Sequence, residues 1–447
     1  MGRGLAYSSD DPDHRLNGTA ATHAVDPADP EEFARWCAEQ RIDHDDPDAV
    51  APGGTLFVRR RDFGRFVAQA FAQEARRGGP SRVRHLRDEA IDATLQPQEA
   101  AITTRSGATL PCDVLIVATG NAPSRFPAAL WPEAATHPGM IDPWELERIR
   151  AIDRAARVLV LGTGLTALDV ITTLLRAGHR ATITAVSPHN LRPRAHRPAF
   201  DMPPALPAAG MLQRIDGPVP AFVRDIAASM RATTLTRALR RQIAAARANN
   251  ESWYATFDAF RDPLWQVWTA LHAREKRRIL RHAGRWYDVH RFRAPPQNDA
   301  IVQAAEREGR VAFRAAKLRS IACGNDHGVV VALHETATGR VRTEKFGAIV
   351  NCTGLDAGAG ATTNPLLASL CRQGWLVPDA TGVGFAVDAQ CRPISRDGTA
   401  SDVLRVIGPP TAGTFGDPLG AIFIAAQIRR ILPGIFASLE SASVRRG

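Results

Sequence analysis

Residues 157–188 read RVLVLGTGLTALDVITTLLRAGHRATITAVSP, and the fold is decided there. Residues 158–161 are a short apolar run rich in β-branched residues, the length of a buried parallel strand. Gly162-Thr163-Gly164-Leu165-Thr166-Ala167 follows at once. Leu168, Ile171, Leu174 and Leu175 then recur at helical spacing, Gly178 stops the helix, and residues 181–186 form the next strand. This is a βαβ unit with G-x-G-x-x-A at its first turn. Gly162 permits the tight turn, Gly164 lets a pyrophosphate approach the backbone, and Ala167 allows close helix–strand packing. The free N–H groups at the helix start then face the phosphates. The motif is weak alone and strong inside a complete strand–turn–helix–strand. A tight turn without a ligand is the competing reading.

The rest of the chain narrows the class. Its 447 residues exceed one ordinary domain. Net charge is +10, yet lysine occurs only at Lys276, Lys317 and Lys345, so the charge is arginine. A GC-rich coding sequence explains that better than nucleic-acid binding, for which no motif is present; anionic cofactors and substrates are the economical partners. The six cysteines are scattered without a C-x-x-C, which argues against a disulfide scaffold, a zinc site and a dithiol redox centre. No apolar run reads as a membrane span and no signal peptide opens the chain. A cytoplasmic enzyme acting on a small molecule, with no metal, is the expectation.

In chain order, Asp29 is expected to cap a helix burying Phe33, Trp36 and Cys37, and Asp62 to cap a second with Phe63, Phe66 and Phe71 inside. Residues 89–95 and 99–104 read as strands of a meander, and residues 114–118 as a strand ending in Thr119-Gly120. Residues 131–150 read as a connector. Residues 188–220 read as a long loop, and residues 221–285 as a helical insertion whose basic cluster is a solvated face. The meander returns from Val311, and residues 348–352 end in Thr353-Gly354. Each half therefore carries a meander and a strand ending in Thr-Gly. A strand at 403–407 runs into Gly408. The stretch from Gly413 through Gly416 and Asp417 to Gly420 then opens a helix, a second candidate anion site.

Gly2-Arg3-Gly4-Leu-Ala-Tyr-Ser8, the two Thr-Gly strand ends, Gly162–Ala167 and Trp286-Tyr-Asp-Val-His290-Arg291 together resemble the FAD/NAD(P)-binding proteins grouped with FAD-dependent urate hydroxylases and amine N-oxygenases. The resemblance covers nearly the whole chain. It implies an α/β flavoprotein with two Rossmann-like dinucleotide-binding domains, β-meanders and a helical insertion. Residues 1–130 would form the first part of an FAD domain, 151–310 the NAD(P)H domain, and 311–447 a meander with the second FAD part. It implies FAD contacts at Gly2, Arg3, Gly4, Asn17, Thr119, Gly120, Thr353, Gly354, Gly408, Gly416 and Asp417. Such proteins begin with a strand, a G-x-G-x-x-G turn and a helix, a unit of roughly 30 to 40 residues. That unit has no counterpart here, so the chain as written is expected to hold FAD poorly.

The resulting expectation is a flavin-dependent, NADPH-using oxidoreductase of the monooxygenase type, since the cofactors carry the hard chemistry. A disabled nucleotide-binding remnant, or an NAD(P)H-dependent flavin oxidase or reductase without oxygenation, stays open. A single-Rossmann methyltransferase is disfavoured because the second strand ends at Ser187 rather than an acid. Ser187, Arg192 and Arg194 in place of that acid point to NADPH over NADH. His290 is the one candidate acid or base, and Arg291 or Arg293 is expected to hold a substrate anion. Oligomeric state is not written in these motifs.

Overall fold

The computed structural model describes residues 3–26, 28–77, 81–122, 124, 126, 137–196, 208–323, 328–354 and 356–446. The N-terminal part holds helices α1 (Glu32–Glu39), α2 (Ile42–Asp45) and α3 (Arg60–Arg76), then strands β1 (Ala90–Leu95), β2 (Ala100–Thr104), β3 (Thr109–Cys112) and β4 (Leu115–Val117). Phe33, Trp36, Phe63 and Phe66 form the aromatic core that holds α1 to α3. The helix caps differ from expectation. Glu31 precedes α1, while Asp29 pairs with Arg35. Asp62 lies inside the first turn of α3, buried and accepting from Arg65.

The connector is not featureless: β5 (Met140–Ile141) and α4 (Leu146–Arg150) precede β6 (Val158–Leu161), α5 (Leu165–Arg176) and β7 (Ile183–Ser187). A helical block follows: α6 (Ala208–Ile215), α7 (Ala221–Arg224), α8 (Ala232–Ala248), α9 (Trp253–Arg261), α10 (Leu264–Ala270), α11 (Ala273–His282), α12 (Gly284–Arg291) and α13 (Pro296–Arg307). Helix α6 falls within the stretch expected to be loop, and residues 197–207 lie outside the described ones. Then come β8 (Val311–Cys323), β9 (Val329–Glu335), β10 (Val341–Phe346) and β11 (Ala348–Asn351). The chain closes with α14 (Pro365–Gln373), β12 (Leu404–Val406), α15 (Ala412–Phe415) and α16 (Ala421–Arg446).

One seven-stranded sheet runs β10-β9-β8-β7-β6-β11-β5. Its five strands from β8 to β5 pair in parallel, with Val160 opposite both Ala185 and Val350. Every residue of β6 is buried. The alternation of a strand divides them: Val158 and Val160 pack with Ile171 and Leu174 of α5, while Leu159 and Leu161 face Val331, Leu333 and Phe346 of the meander. Strand β8 joins the two regimes. Residues 311–315 pair in parallel with β7, and from Ala316 the strand pairs antiparallel with β9, with a register shift between Leu318 and Ser320. The meander of residues 311–351, expected with the second FAD part, is thus hydrogen-bonded into the sheet of the glycine turn.

The remaining strands form a parallel pair, β4 with β12, and an antiparallel sheet β1-β2-β3. Leu115, Val117, Leu404 and Val406 pack with Leu367 and Leu370 of α14 and Ile431 of α16. Both ends of the chain therefore build one core. Residues Ala421–Ala442 are long and apolar enough to cross a membrane by length and composition, which corrects the sequence reading. Within that span Arg430 pairs with Asp216 and stacks on Trp265, and Gln427 is buried in a polar network.

Candidate functional site

The turn between β6 and α5 leaves open space against bare backbone. Gly162 has φ +120°, and a Cβ there would stand 2.1 Å from the Cys352 carbonyl oxygen, so only glycine fits. Gly164 differs: a Cβ there meets nothing within 4 Å. Gly164 is also the N-cap of α5 and supplies no side chain, leaving the first N–H groups of α5 without a cap. Leu165 and Thr166 open the helix, and Ala167 is fully buried against β6. Bare helix start, open space and a forced glycine fit a dinucleotide pyrophosphate.

Beside the turn, the Thr163 and Ser187 hydroxyls are 2.9 Å apart, and Thr163 Oγ1 also donates to the Leu191 carbonyl at 2.5 Å. The ends of β6 and β7 and the following loop are thereby locked together. The two arginines of that loop differ. Arg192 pairs with Glu306 at 2.7 Å and stacks on Phe313. Arg194 is exposed, and its side chain has no carboxylate partner among the described residues. Its backbone bridges Val289 and Ala294, which fixes the loop against the end of α12.

The other candidate residues lie at the N-terminal segment, after β4 and β11, and before α15 and α16. Gly120 (φ +70°) and Gly354 (φ +102°) turn the chain after β4 and β11 with open space where a Cβ would be. Thr119 precedes the first, and Thr353 Oγ1 donates to Asn351 Oδ1 at 2.7 Å. Arg3 and Gly4 lie in an exposed turn, and Gly2 lies outside the described residues. The Asn17 carbonyl accepts from His196 Nε2 at 2.8 Å, tying the N-terminal segment to the loop after β7. The Gly408 N–H donates to Gln427 Oε1 at 2.8 Å, and Gln427 Nε2 reaches Thr411 Oγ1 at 2.9 Å. These contacts brace the turn that feeds α15 and α16.

Asp417 precedes α16 and is 9% exposed. Its Oδ2 accepts from Arg291 Nε at 2.5 Å and from Tyr287 Oη at 3.2 Å, while its Oδ1 is buried without a partner. A carboxylate oxygen left unsatisfied in the protein suits a ligand hydroxyl or N–H. Trp268 covers the same turn: its Nε1 donates to the Gly413 carbonyl at 2.8 Å, and its side chain would crowd a Cβ at Gly416 at 3.0 Å.

Three expectations change here. Arg291 is buried in its ion pair with Asp417 between Phe292 and Phe423, so it presents no free cation. Arg293 gives both Nη atoms to Asp258 and stacks on Trp253 and Tyr254. His290 bonds the Trp286 carbonyl at 2.6 Å and packs against Trp253 and Phe257, where burial lowers its pKa. All three side chains are engaged in contacts of the insertion and its flank. Asp288 keeps solvent exposure, yet desolvation by the packing around it and the neighbouring Asp417 push its carboxyl up to about 6.

Sequence reasoning missed the clamp between the two cores. His14 bridges Ser9 Oγ (2.7 Å) and Thr173 Oγ1 (2.9 Å); Thr173 also donates to Asp11 Oδ2 at 2.8 Å. Arg60 pairs with Asp169 at 2.7 Å, and Arg176 with Asp13 at 2.5 Å. Polar positions on α5 carried the only signal: Asp169, Thr172 and Thr173 are buried in a helix with few other polar residues.

A family model described as FAD-NAD(P)-binding matches residues 1–122, and one described as pyridine nucleotide-disulphide oxidoreductase matches residues 62–202. No curated protein matches the chain. Among solved structures, the ornithine N-hydroxylase of Kutzneria sp. 744, with reduced FAD, NADP+ and L-ornithine, has a TM-score of 0.62 at 16% identity, over 100% of this chain and 91% of that one. The FAD-bound cadaverine monooxygenase of Erwinia amylovora has a TM-score of 0.62 at 12% identity, over 98% and 86%. The ornithine hydroxylase of Pseudomonas aeruginosa has a TM-score of 0.60 at 14% identity, over 98% and 89%. What these chains share with this one is the fold.

Proposed function

We propose, from the premise that the chain has the two-dinucleotide-binding flavoprotein fold, that it is an FAD-dependent, NADPH-using monooxygenase that hydroxylates the nitrogen of a small amine. The observation that carries this reading is the coexistence of two turns. One is the bare glycine turn at Gly162–Gly164; the other is the braced turn at Gly408–Asp417, capped by a tryptophan of the insertion. The amine class follows the three solved structures of the same fold, whose own substrates are ornithine and cadaverine.

In this reading the N–H groups of Leu165 to Ala167 hold the NADPH pyrophosphate, and Thr163 and Ser187 line its adenosine end. Arg194 takes the 2′-phosphate, a guanidinium being suited to it. Arg3, Gly4, Asn17, Thr119, Gly120, Thr353, Gly354, Gly408, Gly416 and Asp417 are the candidate FAD contacts. When bound, FAD supplies the hydride acceptor and the site of dioxygen activation, chemistry that no side chain here provides. Trp268, anchored on Gly413, and Arg291, anchored on Asp417, hold the insertion over the turn before α16. That cover excludes water from the space it closes.

The test uses FAD-loaded protein and NADPH with ornithine, lysine and cadaverine in turn. The expected result is substrate-accelerated NADPH oxidation with labelled oxygen from O₂ in a hydroxylamine product. Hydrogen peroxide as the only product with every amine, or dye reduction without oxygen uptake, would make the chain an oxidase or a reductase instead.

A further inference from the structure

Helix α5 begins at the glycine turn, and two stripes along it face different neighbours. Leu168, Ile171 and Leu174 pack with β6. Asp169, Thr173 and Arg176, at i, i+4 and i+7, form the other stripe. Each of these three is bound to the N-terminal part. Asp169 pairs with Arg60 of α3 at 2.7 Å, and Arg176 holds both carboxylate oxygens of Asp13. Among the described residues, no buried apolar cluster joins α5 to residues 3–77. Polar contacts hold this junction, and they make it directional. Apolar burial has no preferred angle, whereas a hydrogen bond fixes both a distance and an angle.

At the middle of the stripe the hydrogen bonds close into a ring. Thr173 Oγ1 donates to Asp11 Oδ2 at 2.8 Å, a carboxylate oxygen that accepts. That uses the only hydroxyl proton of Thr173, so the proton between Thr173 and His14, 2.9 Å apart, belongs to His14 Nε2. His14 Nδ1 is then the acceptor for the Ser9 hydroxyl at 2.7 Å. Ser9 Oγ in turn accepts the Asp11 N–H at 3.3 Å. All four residues are buried. Three lie within residues 9–14, and the fourth lies on the helix of the glycine turn. The same segment runs on to Asn17, a candidate FAD contact, whose carbonyl accepts from His196 at 2.8 Å.

We propose that Thr173, with Ser9, Asp11 and His14, positions the nicotinamide against the flavin for hydride transfer. This inference rests on the proposed function. In that step a hydride leaves the dihydronicotinamide with its bonding electron pair and adds to the flavin ring, giving NADP+ and the anionic reduced flavin. The reacting atoms must approach to about 3–3.5 Å, and a misplacement of about 1 Å lowers the rate roughly a hundredfold. The four residues are positioning residues: they act through α5 rather than on the reacting atoms.

The test is anaerobic flavin reduction in FAD-loaded protein, with two binding readouts beside it. One is NADPH affinity. The other is the long-wavelength charge-transfer absorbance formed when NADP+ stacks on dithionite-reduced flavin. Thr173→Val keeps the shape of the side chain and removes its hydroxyl. It is expected to lower the reduction rate at saturating NADPH roughly ten- to a hundredfold and to weaken the charge-transfer band, with NADPH affinity unchanged. Thr173→Ser keeps the hydroxyl and is expected to match wild type in all three. Ser9→Ala strands only one acceptor nitrogen, so it carries the test if Thr173→Val does not fold; it should lower the same rate and band by a smaller factor. An unchanged rate and band in the folded variants would overturn this inference alone. So would a loss of NADPH affinity as large as the loss of rate. Wild-type flavin that NADPH does not reduce would overturn the proposed function, and this inference with it.

Discussion

Arg291 Nε lies 2.5 Å from Asp417 Oδ2, and both side chains are more than nine-tenths buried. This pair ties the end of the helical insertion to the turn that opens α16. It also sets the electrostatics around it, since Asp417 helps to push Asp288 up to about 6. Removing one member of a buried pair leaves the other uncompensated, at a cost of about 3–5 kcal/mol. Arg291→Ala is therefore expected to lower unfolding stability by about that amount, read as a shift of the urea midpoint. Arg291→Ala combined with Asp417→Asn should lose less than the single change. An Arg291→Ala protein as stable as wild type would mean that solvent reaches the pair.

Two glycines of one turn, Gly162 and Gly164, should respond oppositely. Gly162→Ala forces a Cβ onto the Cys352 carbonyl at positive φ and is expected to cost about 3 kcal/mol or more in stability. Gly164→Leu points into open space and should leave the melting temperature within a degree or two of wild type. It should weaken NADPH binding at least about tenfold, because it fills the place of the pyrophosphate. NADPH fluorescence titration of Gly164→Leu decides the point; unchanged affinity would remove the dinucleotide from this turn.

Arg194 and Arg192 separate coenzyme recognition from loop support. A charge-assisted hydrogen bond to a phosphate is worth about 1.5–3 kcal/mol, roughly ten- to a hundredfold in affinity. Arg194→Ala is expected to weaken NADPH by that factor and to leave NADH unchanged. Arg192→Ala should do less, because Glu306 already holds its guanidinium. Equal losses for NADPH and NADH in Arg194→Ala would make this arginine a support of the loop.

Burial pushes the His196 imidazole down to about 4, with its Nε2 on the Asn17 carbonyl. A lowered folded pKa means that the unfolded chain binds the proton first. Stability is then lost as pH falls from about 6.5, the unfolded value, to about 4, by about 3 kcal/mol at 1.36 kcal/mol for each pH unit. Asp288 acts in the other direction. Its folded pKa of about 6 lies above the ordinary aspartate range, so its contribution is lost as pH rises from that range through about 6. The two slopes oppose each other, and the difference between wild type and His196→Gln isolates the first. Urea midpoints at pH 4 to 7 should converge toward acid, with wild type losing its advantage; parallel curves would place His196 in water.

What the sequence determined by itself was local. The strand, glycine turn and helix of residues 157–188 are legible because burial on both faces demands a continuous apolar strand, and because the turn admits only glycine at Gly162. The Thr-Gly strand ends and the helical insertion were legible for the same reason: period and turn chemistry are properties of neighbours in the chain. The missed elements were too short or too polar to show a period, namely β5 with two residues and α6 within a proline-rich stretch. Tertiary structure alone decided which sheet owns the meander. Strand β8 changes partner partway along its length, and no local pattern encodes a partner. It also decided the fate of the charges. Arg291 and Arg293 read in sequence as free cations beside a histidine, but Asp417 lies 126 residues from the first and Asp258 lies 35 from the second. An ion pair depends on a distance of a few ångströms in space, and that distance exists only once the insertion has packed against the turn before α16.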